Sequence, residues 1–179
     1  EMKKSGTANE IVKPIVVLTV ICLVVTALLA YVNLVTSPII SESEKEAAAQ
    51  ARMEVLSEAD SFDVVDAELP EGVTEAYKAS NGTGYVFMLT TKGYGGDMKL
   101  ICGIKSDGTI EQCKTLSHNE TSGLGSKTAE DPYRTQYNGK TADTYTEVDA
   151  ITGATISSNA YQKAIKSAFE AYEIVKEAK

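Results

Sequence analysis

GYVFMLTTKGYGGDMKLICGIKSDGTIEQCKTL, residues 84–116, carries the strand pattern of this chain. Three apolar runs lie in it, Gly84 to Thr91, Met98 to Ile104 and Ile110 to Leu116, each too short for a globular helix and enriched in residues that favour strands. Thr74 to Ala79 precedes them, and Asn81-Gly82 supplies a hairpin-type turn into the first run. Ser106-Asp107-Gly108 turns the second pair, and Gly93-Tyr94-Gly95-Gly96 joins the two pairs as a glycine-rich turn. The pattern predicts a small, largely antiparallel sheet, hence an α+β domain once the flanking helices are added. No P-loop and no GxGxxG before a helix occurs in it.

Two cysteines sit in the second hairpin. With a two-residue Asp107-Gly108 loop Cys102 and Cys113 would face one another directly, and a disulfide becomes conceivable; a loop one residue longer takes them out of register. A thiol-based active site has less behind it, because neither cysteine has a CxxC partner or a neighbouring base in sequence.

Toward the N-terminus, Ile15 to Val35 is an apolar run broken only by Thr19, Thr26 and Asn33, about 30 Å long as a helix, which matches the hydrocarbon core of a bilayer. The run is too long for the apolar core of a signal peptide, lacks an A-x-A spacing, and has no polar face to suit a buried helix. Lys3, Lys4 and Lys13 precede it while Glu42, Glu44 and Glu46 follow, so residues 1–14 are expected in the cytoplasm, 15–35 across the membrane and the remainder outside. Pro14 fits a helix start, and Pro38 marks a place where the spanning helix could end or bend. Ser43 to Ser57, with Ala48, Ala51, Val55 and Leu56 at helical spacings, reads as a linker helix within 36–60; a flexible tether is the other reading of so thin a stripe. The exposed domain then occupies 61–179. From residue 41 on there are 14 basic and 23 acidic side chains, about −9 with His118 neutral; with no basic stripe, this argues against nucleic acid as a partner.

Two further segments carry chemistry. His118-Asn119-Glu120-Thr121-Ser122-Gly123-Leu124-Gly125-Ser126-Lys127 follows a predicted strand and holds the chain's only histidine. One His and one Glu make a poor metal site, and acid–base work by the two lacks a nucleophile; taken by itself the loop is better accounted for by a tight glycine turn. Asp149-Ala150-Ile151-Thr152-Gly153-Ala154-Thr155 leads straight into a helix predicted over Ser157 to about Glu177. That junction is either an ordinary N-cap or a seat for a phosphate, since Gly153 and Ala154 admit close approach and a helix start presents unpaired N–H groups, expected here at Ile156 to Ser158. The helix places Tyr161, Ile165, Ala168, Phe169, Tyr172 and Val175 on one stripe for packing on the sheet, with Lys163, Lys166 and Lys176 off it.

DAITGAT resembles the flavinylation motif of the FMN-binding domain family, in which the final hydroxyl carries FMN through a phosphoester bond. HNETSGLGSK resembles the His-x-Glu-Thr-Pro-Gly-Leu-Gly loop of the same family, with Ser122 where proline is usual. With the N-terminal span and the helix after it, the chain is similar to the G subunits of the Rnf complex over nearly its whole length, and less closely to the C subunits of the sodium-translocating NADH:quinone reductase. The resemblance implies an electron-transfer flavoprotein with FMN attached to Thr155. Thr152, Gly153, Ala154, Glu120, Thr121, Gly123, Leu124 and Gly125 would line the flavin site, and Asp149 would serve recognition by an ApbE-type flavin transferase. It further implies a membrane complex coupling ferredoxin and NAD to sodium or proton movement, with membrane subunits and a second flavin-carrying subunit as partners. On this reading the chain supplies position and potential, and is not catalytic alone.

Overall fold

A computed structural model describes residues 6–177. The lysines at positions 3 and 4, on which the expected orientation partly rests, lie outside the described residues. The chain divides into two compact units, one up to Glu46 and one from Ala47 onward.

The first unit belongs to a single helix, α1 (Gly6–Val55), which passes through both Pro14 and Pro38. The helix end or bend expected at Pro38 is therefore not a helix end. A proline removes one N–H and leaves one carbonyl, that of Leu34, without its usual donor, and the strong helix formers from Glu44 to Ala51 continue the helix beyond it. Among the described residues this is the one helix long and apolar enough to cross a membrane. Its side chains from Ile11 to Ile40 are almost all exposed, and the polar Thr19 hydroxyl turns back to donate to the Ile15 carbonyl at 2.8 Å.

The second unit is built on a five-stranded antiparallel meander in the order β1 (Phe62–Val64), β2 (Val73–Ala79), β3 (Gly84–Lys92), β4 (Asp97–Lys105) and β5 (Ile110–Ser117). Four strands match the sequence reading to within a residue at each end. The edge strand β1 escapes it, because three residues, Phe-Asp-Val, are too few to show a period of two. A one-turn helix α2 (Asp131–Arg134), flanked by 3-10 turns, crosses from β5 toward the C-terminal helix α3 (Thr155–Glu177).

Both faces of the sheet are covered, which is why β3 and β4 read as nearly continuous apolar runs. On one face Tyr85, Phe87, Leu89, Leu100, Cys102 and Ile104 meet Tyr161, Ala164, Ile165, Ala168 and Tyr172 of α3. The predicted stripe is thus the buried one, and Lys163, Lys166 and Lys176 are exposed. On the other face Val86 and Ile101 meet Ala51, Val55 and Leu56, from the last turns of α1 and the residue after it. The thin stripe of the linker therefore has a partner, and the segment Ala48 to Leu56 is a packed layer of the domain and no tether.

The α3 layer is rich in aromatic groups. Tyr133, Tyr137 and Tyr161 form a buried triad, with Tyr161 stacked on Tyr137 at 5.3 Å between ring centres and edge-on to Tyr133 at 5.5 Å. The Tyr161 hydroxyl is buried without a hydrogen-bond partner, and its burial raises its pKa well above the ordinary phenol value.

Candidate functional site

Two turns of the same design meet at the N-terminal end of α3. In Thr121-Ser122-Gly123-Leu124 the Leu124 N–H donates to the Thr121 carbonyl at 3.1 Å, and Gly123 occupies the third position at φ +76°. In Ile151-Thr152-Gly153-Ala154 the Ala154 N–H donates to the Ile151 carbonyl at 2.9 Å, with Gly153 at φ +82°. A positive φ at the third position is the mark of a type II turn and explains the glycines in both. The position after the first residue favours proline in such turns, and Ser122 occupies it here without disturbing the turn.

The second turn is held from inside the helix it opens. The Ser158 hydroxyl accepts from the Ile151 N–H at 3.0 Å, and the Ser158 N–H donates to the Ala154 carbonyl at 2.9 Å as the first regular bond of α3. The N–H groups left without an intrahelical acceptor are therefore those of Thr155, Ile156 and Ser157. This shifts the expected set, Ile156 to Ser158, by one residue, since the helix begins two residues earlier than its side chains suggest.

Glu120 ties the turns together. It is only 8% exposed, and its carboxylate accepts from the Ser157 hydroxyl on one oxygen and from the Gly95 N–H at 3.0 Å on the other. A buried carboxylate needs such donors to offset its lost hydration. The approach leaves no room for a side chain at Gly125, where a Cβ would fall 2.4 Å from Glu120 Oε2 and 2.6 Å from Ser157 Oγ. His118 acts on the backbone of the same loop, its Nδ1 accepting from the Glu120 N–H at 3.2 Å.

The resulting cleft, about 540 Å³, is lined by Tyr94, Glu120, Thr121, Leu124, Gly125 and Gly153 to Ser157. That is within the range of small-molecule sites. Of the residues singled out in sequence, Glu120, Thr121, Leu124, Gly125, Gly153, Ala154 and Thr155 are in the lining. Gly123 and Thr152 sit in the turns behind it, outside the lining, and Asp149 is exposed before the second turn. Ile156 and Ser157, expected from sequence for their backbone N–H groups, are in the lining as well, and Tyr94 is the addition. Tyr94 has a signal in sequence, a lone aromatic residue in a glycine turn, where nothing local can bury it; it is 70% exposed, and with Leu124 and Ile156 it gives the cleft an apolar rim.

The donor set suits a flavin mononucleotide. Three unpaired N–H groups at a helix start favour a phosphate, the exposed Thr155 hydroxyl stands beside them, and the apolar rim suits a flat aromatic ring.

Comparison with known proteins agrees with both halves of the chain. Residues 93–170 match the FMN-binding domain family, and residues 2–55 match the RnfG N-terminal region. The chain is 32% identical to the G subunit of the proton-translocating ferredoxin:NAD(+) oxidoreductase complex of Clostridium ljungdahlii, over 94% of this chain and 95% of that protein. It is 33% identical to the Na(+)-translocating counterpart of Acetobacterium woodii over 88% of this chain and 89% of that protein. To the G subunit of the ion-translocating oxidoreductase complex of Methanosarcina acetivorans it is 34% identical over 91% and 95%. Among solved structures, NqrC of Shewanella oneidensis superposes with a TM-score of 0.50 at 20% identity, over 63% of this chain and 70% of that one, which is a likeness of fold. The chain belongs to the G-subunit family of ion-translocating ferredoxin:NAD(+) oxidoreductase (Rnf) complexes and carries the FMN-binding domain of that family.

Proposed function

We propose that this chain is an electron-carrying subunit of an Rnf-type complex and holds FMN covalently on Thr155, on the outer side of the membrane. The complex would couple ferredoxin:NAD oxidoreduction to sodium or proton movement. The observation that carries the reading is the exposed Thr155 hydroxyl at the mouth of the cleft, beside three N–H groups with no intrahelical acceptor.

Bound FMN would supply the redox chemistry. The chain's residues supply its position. The N–H groups of Thr155, Ile156 and Ser157, at the positive end of α3, would hold the negative charge that a phosphate esterified to Thr155 keeps. Tyr94, Leu124 and Ile156 would shield the ring from water on the open side, while Glu120, next to the first turn, holds the start of α3 through the Ser157 hydroxyl and the glycine turn through the Gly95 N–H. Attachment needs an activated flavin phosphate. An ApbE-type transferase would provide it from FAD: the Thr155 oxygen forms its bond to the FMN phosphorus as the pyrophosphate bond breaks, and AMP leaves. Asp149, exposed next to the turn, is available to that enzyme. The membrane subunits and a second flavin-carrying subunit of the complex are the partners for electron transfer.

The test is the intact mass of the full chain co-expressed with such a transferase. A gain of one FMN less water, absent in Thr155→Ala, is expected. An unshifted mass in the unaltered chain would refute the covalent link and favour a non-redox anchored module.

A further inference from the structure

Cys102 and Cys113 take no part in the cleft, yet the hairpin is built so that they meet. The loop closing β4 to β5 is Ser106 to Gly108, with the Lys105 N–H donating to the Thr109 carbonyl at 2.8 Å and Gly108 at φ +87°. That loop sets Ile104 opposite Ile110, and an unbroken ladder from there would place Cys102 opposite Gln112. The register shifts between Gly103 and Ile104, where Glu111 is the extra residue, so that Gly103 faces Gln112 and Cys102 faces Cys113. The bulge thus restores the opposition that the longer loop removes.

We propose that Cys102 and Cys113 are a disulfide-forming pair, oxidised before the sheet is covered by α3, and that the bond clamps the strand that delivers Glu120 to the cleft. Directly opposed residues of an antiparallel pair have Cα atoms roughly 4.5–5.5 Å apart, inside the roughly 4.4–6.8 Å that a disulfide spans. Both side chains project to the α3 face and are fully buried. Each thiol has the other as its hydrogen-bond partner, Cys113 Sγ lying 2.8 Å from Cys102 Sγ. Packing of two thiols as small apolar groups accounts for their burial. It does not account for a bulge that brings them face to face.

The step is an exchange with an oxidised dithiol carrier. One thiolate of the pair attacks the carrier's disulfide to give a mixed disulfide and release one carrier thiol. The second thiolate then attacks the chain's bonded sulfur; the S–S bond forms within the hairpin, and the carrier leaves with two electrons and two protons. Burial and the adjacent sulfur raise the Cys113 thiol well above its ordinary value. Both sulfurs are fully buried once α3 covers the strands, so a carrier reaches them only before that closure, and the finished bond is shielded afterward. Carriers of this class act on exported segments, so the inference rests on the outward placement proposed for the domain.

The experiment uses the full chain in its own membranes, with cells lysed without air into acidic denaturant and alkylated with no reductant. Modification of Cys22 alone is expected, with a chain two hydrogen atoms lighter than the free-thiol form, and modification of all three cysteines after reduction. Alkylation of all three without reductant, or a peptide linking Cys22 to either partner, overturns the proposal. Intact membranes treated with a small dithiol should keep the bond until denaturant is added; its ready loss in native membranes overturns the closure order. The covalent flavin adds its own increment to the chain mass in the same spectrum, so free thiols on a flavinylated chain and a bonded pair on an unflavinylated one are told apart.

Discussion

The turns Thr121–Leu124 and Ile151–Ala154 have the same hydrogen bond and a glycine of the same handedness in the same place, yet they prepare opposite surroundings. After the first, the chain tightens into a 3-10 turn, and the N–H groups of Ser126 and Lys127 go to the carbonyls of Thr121 and Leu124. After the second, a long α-helix begins, and the first three N–H groups find no carbonyl behind them. A helix of i→i−4 bonds leaves more donors open at its start than a tighter coil does. The turn itself therefore does not leave donors open. The start of the long helix behind the second turn does.

Substitutions in and beside the two turns put this to the test. The largest effect is expected from the threonine that follows the second turn when set against the one that opens the first: Thr155→Ala should abolish the flavin mass entirely, whereas Thr121→Ala should keep it, as read by intact mass after co-expression with the transferase. Loss in both would remove the distinction between the turns. Next comes Gly125→Ala, where the added Cβ pushes on both Glu120 and Ser157; destabilisation of about 1–3 kcal/mol is expected in chemical denaturation. Glu120→Gln keeps the shape and removes the charge, and one of its two acceptor contacts then faces an amide N–H. A loss of about 1–2 kcal/mol is expected by the same measurement, and a Tm identical to that of the unaltered chain would show that the carboxylate does not hold the turns together. The smallest change is Ser122→Pro. The second position of a type II turn accepts proline, and the variant should be about 0.4–1 kcal/mol more stable. A drop in Tm would mean that the Ser122 N–H has a use that this geometry does not provide for.

How much of the molecule is legible in its sequence depends on whether the signal is local. The strands β2 to β5 announce themselves through short apolar runs and glycine turns, and α3 through its stripe. The motifs DAITGAT and HNETSGLGSK mark the two halves of the cleft. The features that stay hidden depend on partners far along the chain. Ala48, Ala51, Val55 and Leu56 make a stripe too thin to distinguish a tether from a layer until Val86 and Ile101 are seen beneath it. Tyr94 stands out in its glycine turn, but which cleft it borders is not seen until the loop is placed beside α3. The start of α3 reads two residues late because Thr155 and Ile156 have side chains as ordinary before a helix as within its first turn. Pro38 suggests an end by its usual habit, and the helix carries past it.

The Glu120 carboxylate also sets an order of events. Its two contacts reach Gly95, 25 residues back, and Ser157, 37 residues ahead, so they require the strand pair and the C-terminal helix to be in place together. Contacts between such distant parts of a chain form only after loop-closure entropy has been overcome by the surrounding structure. The cleft is therefore complete only when the strands and α3 are assembled, and anything that recognises it, an attaching enzyme included, would be selecting chains in which those parts have come together.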